Sequence, residues 1–392
     1  MKLSITAVWV VALLGAAGGI FPEGLEFSGV LDSKVTMAAG AGAAPEFSWG
    51  FEEYANLRMQ AKIRDKAVFY GALNLIAATG SSAAGAVMLG AGNAVAYPGL
   101  TSSSFVAGEN YAAALELERL YFRVTSDAAD FDAGLMRLGF GYSLVFGPSD
   151  FLNPRNPLRP DARLRGILGA AVSIYPNDDA KVLAFAVGPK NPLATEGSGI
   201  LAGLSWDQHG ERLSIQALYA YETPQEGSPG GIHRGGLSLK ADAAVGLVAD
   251  MLYTYNPEGD FSIGGLAAAA GLDYSFFEGK LYTLAEYLYS GEGSATARSG
   301  RNYLYASMTY RVSDYTTGSL ACMAGLDDVS FTPILSLEHV IFQGLTLSLS
   351  AQVPLDRDLF SGDGNRGELG PLPPGAEEGV YGSFSAQVRL RF

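Results

Sequence analysis

Residues 380–392 read VYGSFSAQVRLRF, and this stretch decides the fold. Apolar or small residues occupy every second position from Val380 to Phe392, and the positions between them are mostly polar, ending with Arg389 and Arg391. Such strict alternation predicts a β-strand with one apolar and one polar face. The stretch is about twice as long as an average strand of a soluble protein and fits a tilted strand that crosses a membrane.

The same alternation recurs throughout the chain, most clearly in 55–63, 164–174, 213–221, 304–310 and 345–353. In lipid every backbone N–H and C=O must be paired within the protein, so a chain that crosses a membrane with strands must close into a barrel. The sequence therefore predicts an all-β fold. It is a single transmembrane antiparallel up-and-down β-barrel of about 18 strands, with 16 and 20 strands as the alternatives.

The links between the candidate strands alternate between tight turns and mostly longer connections, as outer-membrane barrels require. Two of the candidate strands are 110–126 and 130–145. In 110–126 the apolar residues change face midway, which predicts a β-bulge near Glu118–Arg119.

The N-terminus carries a separate signal. Residues 1–19 read MKLSITAVWVVALLGAAGG, in which Lys2 precedes an apolar run and small residues follow it. This order is typical of a secretory signal peptide, and the run is too short for an anchor helix. We therefore expect residues 1–19 to be removed after export and residues 20–392 to form the barrel.

Composition narrows the class of protein. The 392 residues carry a net charge of −14, which argues against nucleic-acid binding because that needs a clustered basic excess. The single cysteine, Cys322, excludes an internal disulfide framework and a cysteine-based zinc site. The sequence suggests no cofactor and no metal.

The ending SAQVRLRF, with Phe392 as the terminal residue, resembles the C-terminal assembly signal of bacterial outer-membrane β-barrel proteins. Together with the export signal and the strand pattern, the whole mature chain resembles a porin-type barrel. The resemblance implies residence in the outer membrane, contact with outer-membrane lipid, and recognition of Phe392 by the barrel-assembly machinery. It also allows a homotrimer.

Charged residues on the polar faces are the candidates for lining an aqueous lumen, because rings of charge set the ion preference of a pore. The alternative is that Arg–Glu pairs brace the barrel wall. The candidates are Glu52, Arg58, Lys62, Glu116, Arg119, Arg123, Arg137, Arg163, Arg165, Glu286, Arg311, Glu338, Arg389 and Arg391.

Two long links are candidates for folding into the lumen. Residues 146–160, FGPSDFLNPRNPLRP, contain four stiffening prolines, and Asp150, Arg155 and Arg159 are the candidate constriction residues. The alternative is a rigid exposed loop. Residues 80–109 are nearly uncharged and would plug the lumen, line an entrance for apolar compounds, or add a hairpin that raises the count to twenty strands.

These features predict a porin-like channel for passive diffusion of small hydrophilic solutes through a charged aqueous lumen. One alternative is a channel for hydrophobic compounds with 80–109 as plug or entrance. Another is a closed structural or adhesive barrel whose outer loops bind a partner. The three histidines, His209, His233 and His339, show no catalytic spacing, so we expect no enzyme.

Overall fold

The computed structural model describes residues 24–40, 46–63, 66–82, 102–108, 110–153, 166–188, 199–224, 230–258, 263–291, 302–327, 329–355 and 381–392. This part of the chain forms one sheet of nineteen strands, joined by antiparallel pairings, and a short 3-10 helix at Ile263–Gly265. The first ten strands are β1 Leu25–Gly40, β2 Glu46–Ile63, β3 Ala67–Gly80, β4 Ser102–Ala107, β5 Tyr111–Thr125, β6 Ala129–Met136, β7 Ile167–Asn177, β8 Ala180–Val187, β9 Leu201–His209 and β10 Leu213–Glu222. The others are β11 Ile232–Asp242, β12 Gly246–Tyr255, β13 Leu266–Phe276, β14 Leu281–Ser290, β15 Asn302–Ser313, β16 Thr316–Gly325, β17 Ser330–Phe342, β18 Leu345–Gln352 and β19 Tyr381–Arg391.

The sheet closes on itself. Strand β1 pairs with β2 on one edge and with β19 on the other, in a register that joins Val30 to Arg391. Every other wall strand pairs with its neighbours in chain order, except that β3 pairs with β5 directly. Eighteen strands therefore make the wall, and the predicted antiparallel up-and-down barrel is confirmed.

Strand β4 is an addition to the wall. It pairs with the N-terminal half of β5, at Ala112–Glu116, whereas β6 pairs with the C-terminal half, at Leu120–Thr125. The stretch 80–109 thus contributes one short strand among the described residues, and 83–101 and 109 lie outside them. A hairpin within 80–109 was predicted to raise the count to twenty strands; the described residues show only this one short strand, and the wall has eighteen.

The register of β3 against β5 shifts between Ala72 and Leu73, opposite Arg119 and Leu117. The bulge predicted near Glu118–Arg119 is confirmed. The predicted strand 130–145 is wrong in its second half, because β6 ends at Met136 and the chain then leaves the wall.

The outward face of the wall is apolar, as alternation requires of a surface in contact with lipid. Large exposed side chains stand there, among them Trp49 on β2, Trp206 on β9, Tyr219 on β10 and Phe384 on β19. An exception is Glu53 on β2, which shares this face with Phe51 and accepts hydrogen bonds from the Ser33 hydroxyl at 2.9 and 2.8 Å.

No helix among the described residues is long and apolar enough to span a membrane.

Candidate pore constriction

Residues 137–153, which we call the infolded segment, leave the wall after β6 and lie inside the barrel. Part of this segment docks on an apolar patch of the inner wall. The ring of Phe140 stacks on Phe151 of the same segment at 6.0 Å and contacts Phe185 of β8 at 5.2 Å between ring centroids. Leu138 and Phe140 belong to one buried cluster with Leu218 of β10. Hydrophobic burial therefore fixes the near half of the segment.

A wall carboxylate holds the far half of the segment. Glu286 of β14 is 1% exposed and accepts hydrogen bonds from the backbone N–H groups of Leu144 (2.9 Å), Val145 (3.2 Å) and Phe146 (2.8 Å). The Ser143 hydroxyl also donates to it. Strand β6 is the fifth and β14 the thirteenth of the eighteen wall strands, so the segment follows the inner wall from β6 as far as β14.

A second carboxylate contacts the segment from β12. Asp250 is buried and accepts from the hydroxyls of Ser149 and Ser238, the latter at 2.6 Å. Next to it, Gly141 has a φ of +83° and donates its N–H to Gln216 Oε1 at 2.5 Å. A Cβ at Gly141 would collide with Asp250 Oδ2, so the backbone approaches this carboxylate more closely than any other residue would allow.

Tyr142 attaches the segment to β9. Its hydroxyl donates to Asp207 Oδ1 at 3.4 Å, and Asp207 also accepts from Gln216 Nε2 at 2.5 Å. Burial, the negative charge of Asp207 and this hydrogen bond raise the pKa of Tyr142 to about 12. The phenol therefore stays protonated, and remains a donor, throughout the physiological pH range.

The infolded segment docks on β8–β14, whereas the opposite wall, β1–β5, carries a network of polar groups. Asn56 donates to Asn74 at 2.6 Å and to Glu118 at 2.7 Å, and Tyr54 donates to Asn74 at 2.9 Å. Arg58 in turn donates to Asn56 at 2.5 Å. These bonds link β2, β3 and β5 on the inward face of the wall, where Asn56 and Asn74 are fully buried.

Between this wall and the start of the segment lies a cavity of about 370 Å³. Three arginines contribute to its lining, together with one aspartate. Arg119 carries an ion pair to Glu118 at 3.0 Å and lies over the Tyr70 ring at 5.0 Å. Arg123 binds Asp132 through two nitrogens at 2.6 and 2.8 Å. The lining residues are Arg119, Tyr121, Arg123, Asp132, Met136, Arg137 and Gly139.

The strand register puts the strand-borne candidate pore residues on the inward face. They are Glu52, Arg58, Lys62, Glu116, Arg119, Arg123, Glu286, Arg311, Glu338, Arg389 and Arg391. The cavity brings together Arg119, Arg123 and Arg137. Arg163, Arg165, Arg155 and Arg159 lie outside the described residues.

Several of the basic candidates near the short-turn end of the barrel are paired with acids. Lys62 pairs with Glu26 at 2.8 Å, and Arg389 pairs with Asp32 at 2.8 Å. Such pairs fit the alternative interpretation, in which pairs of basic and acidic residues brace the barrel wall.

Asp150, a predicted constriction residue, is 2% exposed and therefore does not face the water of the lumen. Its carboxylate accepts from Asn153 Nδ2 at 3.2 Å and its backbone N–H bonds to the Gly147 carbonyl at 2.9 Å. Asp150 stabilises the turn at the end of the segment. Sequence reasoning missed Asp250, Gln216 and Tyr142, although the first two occupy inward positions of their strands.

Comparisons with known proteins agree with this architecture. No family model and no curated protein matches the sequence. The solved structure of OccK8 (OprE) from Pseudomonas aeruginosa is 13% identical, with a TM-score of 0.51 over 95% of this chain and 99% of that chain. OpdQ from the same organism is 11% identical, also with a TM-score of 0.51, over 95% and 99%. The outer membrane protein OpdK of that organism is 10% identical over 94% and 98%, with a TM-score of 0.49. At these identities the first two likenesses show the fold alone.

Proposed function

We propose that this porin-type barrel is an outer-membrane channel through which small hydrophilic solutes diffuse passively. One observation carries the proposal: the infolded segment docks on one side of the lumen and leaves, against the polar wall, a cavity lined by Arg119, Arg123 and Arg137. Porins are channels rather than enzymes, and we infer no chemical step for this chain.

The charge of the cavity lining indicates which ions the proposed channel prefers. Three guanidinium groups and one carboxylate line it, and desolvated walls strengthen the field of such groups. We infer that anions pass this point more readily than cations of the same size. Arg137 is exposed and belongs to the infolded segment, so it brings positive charge to the narrowed part of the lumen.

The route to the membrane belongs to the same proposal. Export by residues 1–19 and recognition of Phe392 by the assembly machinery would deliver the chain to the outer membrane. The position of Phe392 supports this, because its backbone hydrogen bonds to Gly29 join the last strand to the first. A homotrimer in outer-membrane lipid completes the proposal.

Single-channel conductance of the refolded mature protein in planar bilayers tests the proposed function. We expect stable current steps and, under a salt gradient, a reversal potential of the sign that anion preference gives. Absence of steps from protein whose heat-modifiable gel migration proves that it is folded would refute an open channel.

The variant Arg137→Gln tests the role of the cavity. We expect its reversal potential to move towards cation preference. Arg311→Gln is the matched control, because it removes the same charge from an exposed inward position of β15 outside the cavity. An equal shift in both variants would show that total charge, and not the cavity, sets the preference.

A further inference from the structure

We infer that Glu286 is the positioning residue of the channel: it fixes residues 143–146 against the inner wall at β14 and thereby sets the cross-section left for solutes. The inference rests on the proposed function for its second half only. That Glu286 fixes the segment can be tested whether or not the barrel conducts.

Both carboxylate oxygens of Glu286 are used. Oε1 accepts from the Ser143 hydroxyl and from Phe146 N, Oε2 accepts from Leu144 N, and Val145 N lies 3.3 and 3.2 Å from the two oxygens. Three of the donors are consecutive backbone N–H groups, which form a concave site for an anion. The arrangement needs a group with two acceptor oxygens and no donor, and among side chains only a carboxylate meets that requirement.

The hydrogen bonds from the infolded segment offset the cost of burying the Glu286 carboxylate. Its side chain is almost fully buried, and among the described ion pairs of the wall none involves it. A buried carboxylate without hydrogen bonds is very costly, so the segment and Glu286 stabilise each other. Displacing residues 143–146 would leave the carboxylate and three N–H groups without these partners.

The other attachments hold different parts of the segment. Phe140 and Leu138 are fixed by apolar packing near β8 and β10, and Asp250 binds the segment at Ser149 and lies against Gly141. Val145 and Phe146 pack on Tyr303 of β15, which is also apolar contact and tolerates sliding better than directed hydrogen bonds do. Loss of the Glu286 bonds should therefore free the far half of the segment and leave the near half in place.

The variant Glu286→Gln tests this in two measurements. It keeps the shape of the side chain but replaces one acceptor oxygen by an NH₂ donor that faces backbone donors. In hydrogen–deuterium exchange on the refolded barrel, we expect the amides of 144–146 to exchange about 10- to 100-fold faster, as loss of one or two hydrogen bonds implies. The amides of 138–141 should be unchanged. In planar bilayers we expect conductance to change by roughly twofold, with a noisier open level.

Glu338→Gln is the matched control, since it makes the same chemical change on an exposed inward residue of β17. Unchanged protection of 144–146 in Glu286→Gln would overturn the inference, and so would faster exchange with unchanged conductance. A wild-type barrel that does not conduct would refute the proposed function, while the exchange data would still decide whether Glu286 fixes the segment.

Ser143→Ala keeps the inference testable if Glu286→Gln fails to fold. This change removes the hydroxyl that donates to Glu286 and accepts from Gly147 N at 2.9 Å, and it leaves the carboxylate in place. We expect faster exchange of the same amides by a smaller factor. Wild-type exchange rates at 144–146 would overturn the inference.

Discussion

The ring of Phe392 lies directly over the α-carbon of Gly29, and the two residues exchange both backbone hydrogen bonds, at 2.8 and 3.1 Å. A Cβ at Gly29 would lie 2.5 Å from Phe392 Cζ and 2.8 Å from the Asn56 carbonyl oxygen. The aromatic ring of the last residue therefore needs a glycine on the first strand at the seam where the barrel closes.

We expect Gly29→Ala to destabilise the barrel by roughly 1–3 kcal/mol, the usual cost of overpacking, because a backbone oxygen cannot move aside as a side chain can. Urea unfolding in lipid vesicles measures this. Gly235→Ala is the control, since a Cβ at Gly235, also on the outward face, would meet nothing within 4 Å. Equal stability of the two variants would contradict the prediction.

Replacing Glu53 on the lipid-facing side of β2 should make the barrel more stable. Its carboxylate shares the outward face with Phe51 and has the Ser33 hydroxyl as a hydrogen-bond donor. An ionisable group on the lipid face is unfavourable, so Glu53→Leu should stabilise the barrel in lipid by about 1 kcal/mol. The same unfolding assay applies, with Glu52→Leu on the inward face as control. A loss of stability in Glu53→Leu would show that the carboxylate has a partner in the membrane.

The wall could be predicted from the sequence because each strand has one lipid face and one lumen face. Alternation records that difference directly, and it gave the right face for Tyr219 on β10 and Phe384 on β19. The bulge at Glu118 also followed from alternation, because an extra residue exchanges the two faces.

The constriction could not be predicted in the same way. The sequence of residues 137–144 alternates like a wall strand, and in its first half the chain inside the lumen does bury every second residue, Leu138 and Phe140. Alternation indicates that one side of an extended chain is buried, but it does not indicate whether the backbone pairs with a neighbouring wall strand. The end of β6 at Met136 therefore could not be predicted. For the same reason Glu286 was predicted to line water, although it faces a folded-in backbone.

The close approach of Gly141 to Asp250 predicts that this glycine is essential to the shape of the segment. Gly141→Ala would place a methyl group against Asp250 Oδ2 and force a φ of +83° on a residue with a side chain. We expect a changed single-channel conductance with the barrel intact. Gly139→Ala is the control, because its Cβ would lie 3.8 Å from the nearest atom, Asp150 Oδ2, at ordinary contact distance. Identical conductance in both variants would contradict the prediction.

The ion pair between Arg389 of β19 and Asp32 of β1 should contribute to closing the barrel. The pair has two hydrogen bonds, at 2.8 and 3.1 Å, and the Asp32 side chain is only 10% exposed. We expect a double-mutant cycle with Arg389→Gln and Asp32→Asn to give a coupling free energy of unfolding of about 1–2 kcal/mol, since bidentate pairs shielded from water are the strong ones.

The pair of Lys62 with Glu26, whose side chains are 54% and 60% exposed, is the internal comparison. Solvent screening should reduce its coupling to well below that of the first pair. Because both pairs join neighbouring strands at the same end of the barrel, a difference between the two cycles isolates the effect of burial. Equal coupling would mean that the seam between β1 and β19 gains nothing from shielding this pair, and that backbone pairing alone closes the barrel.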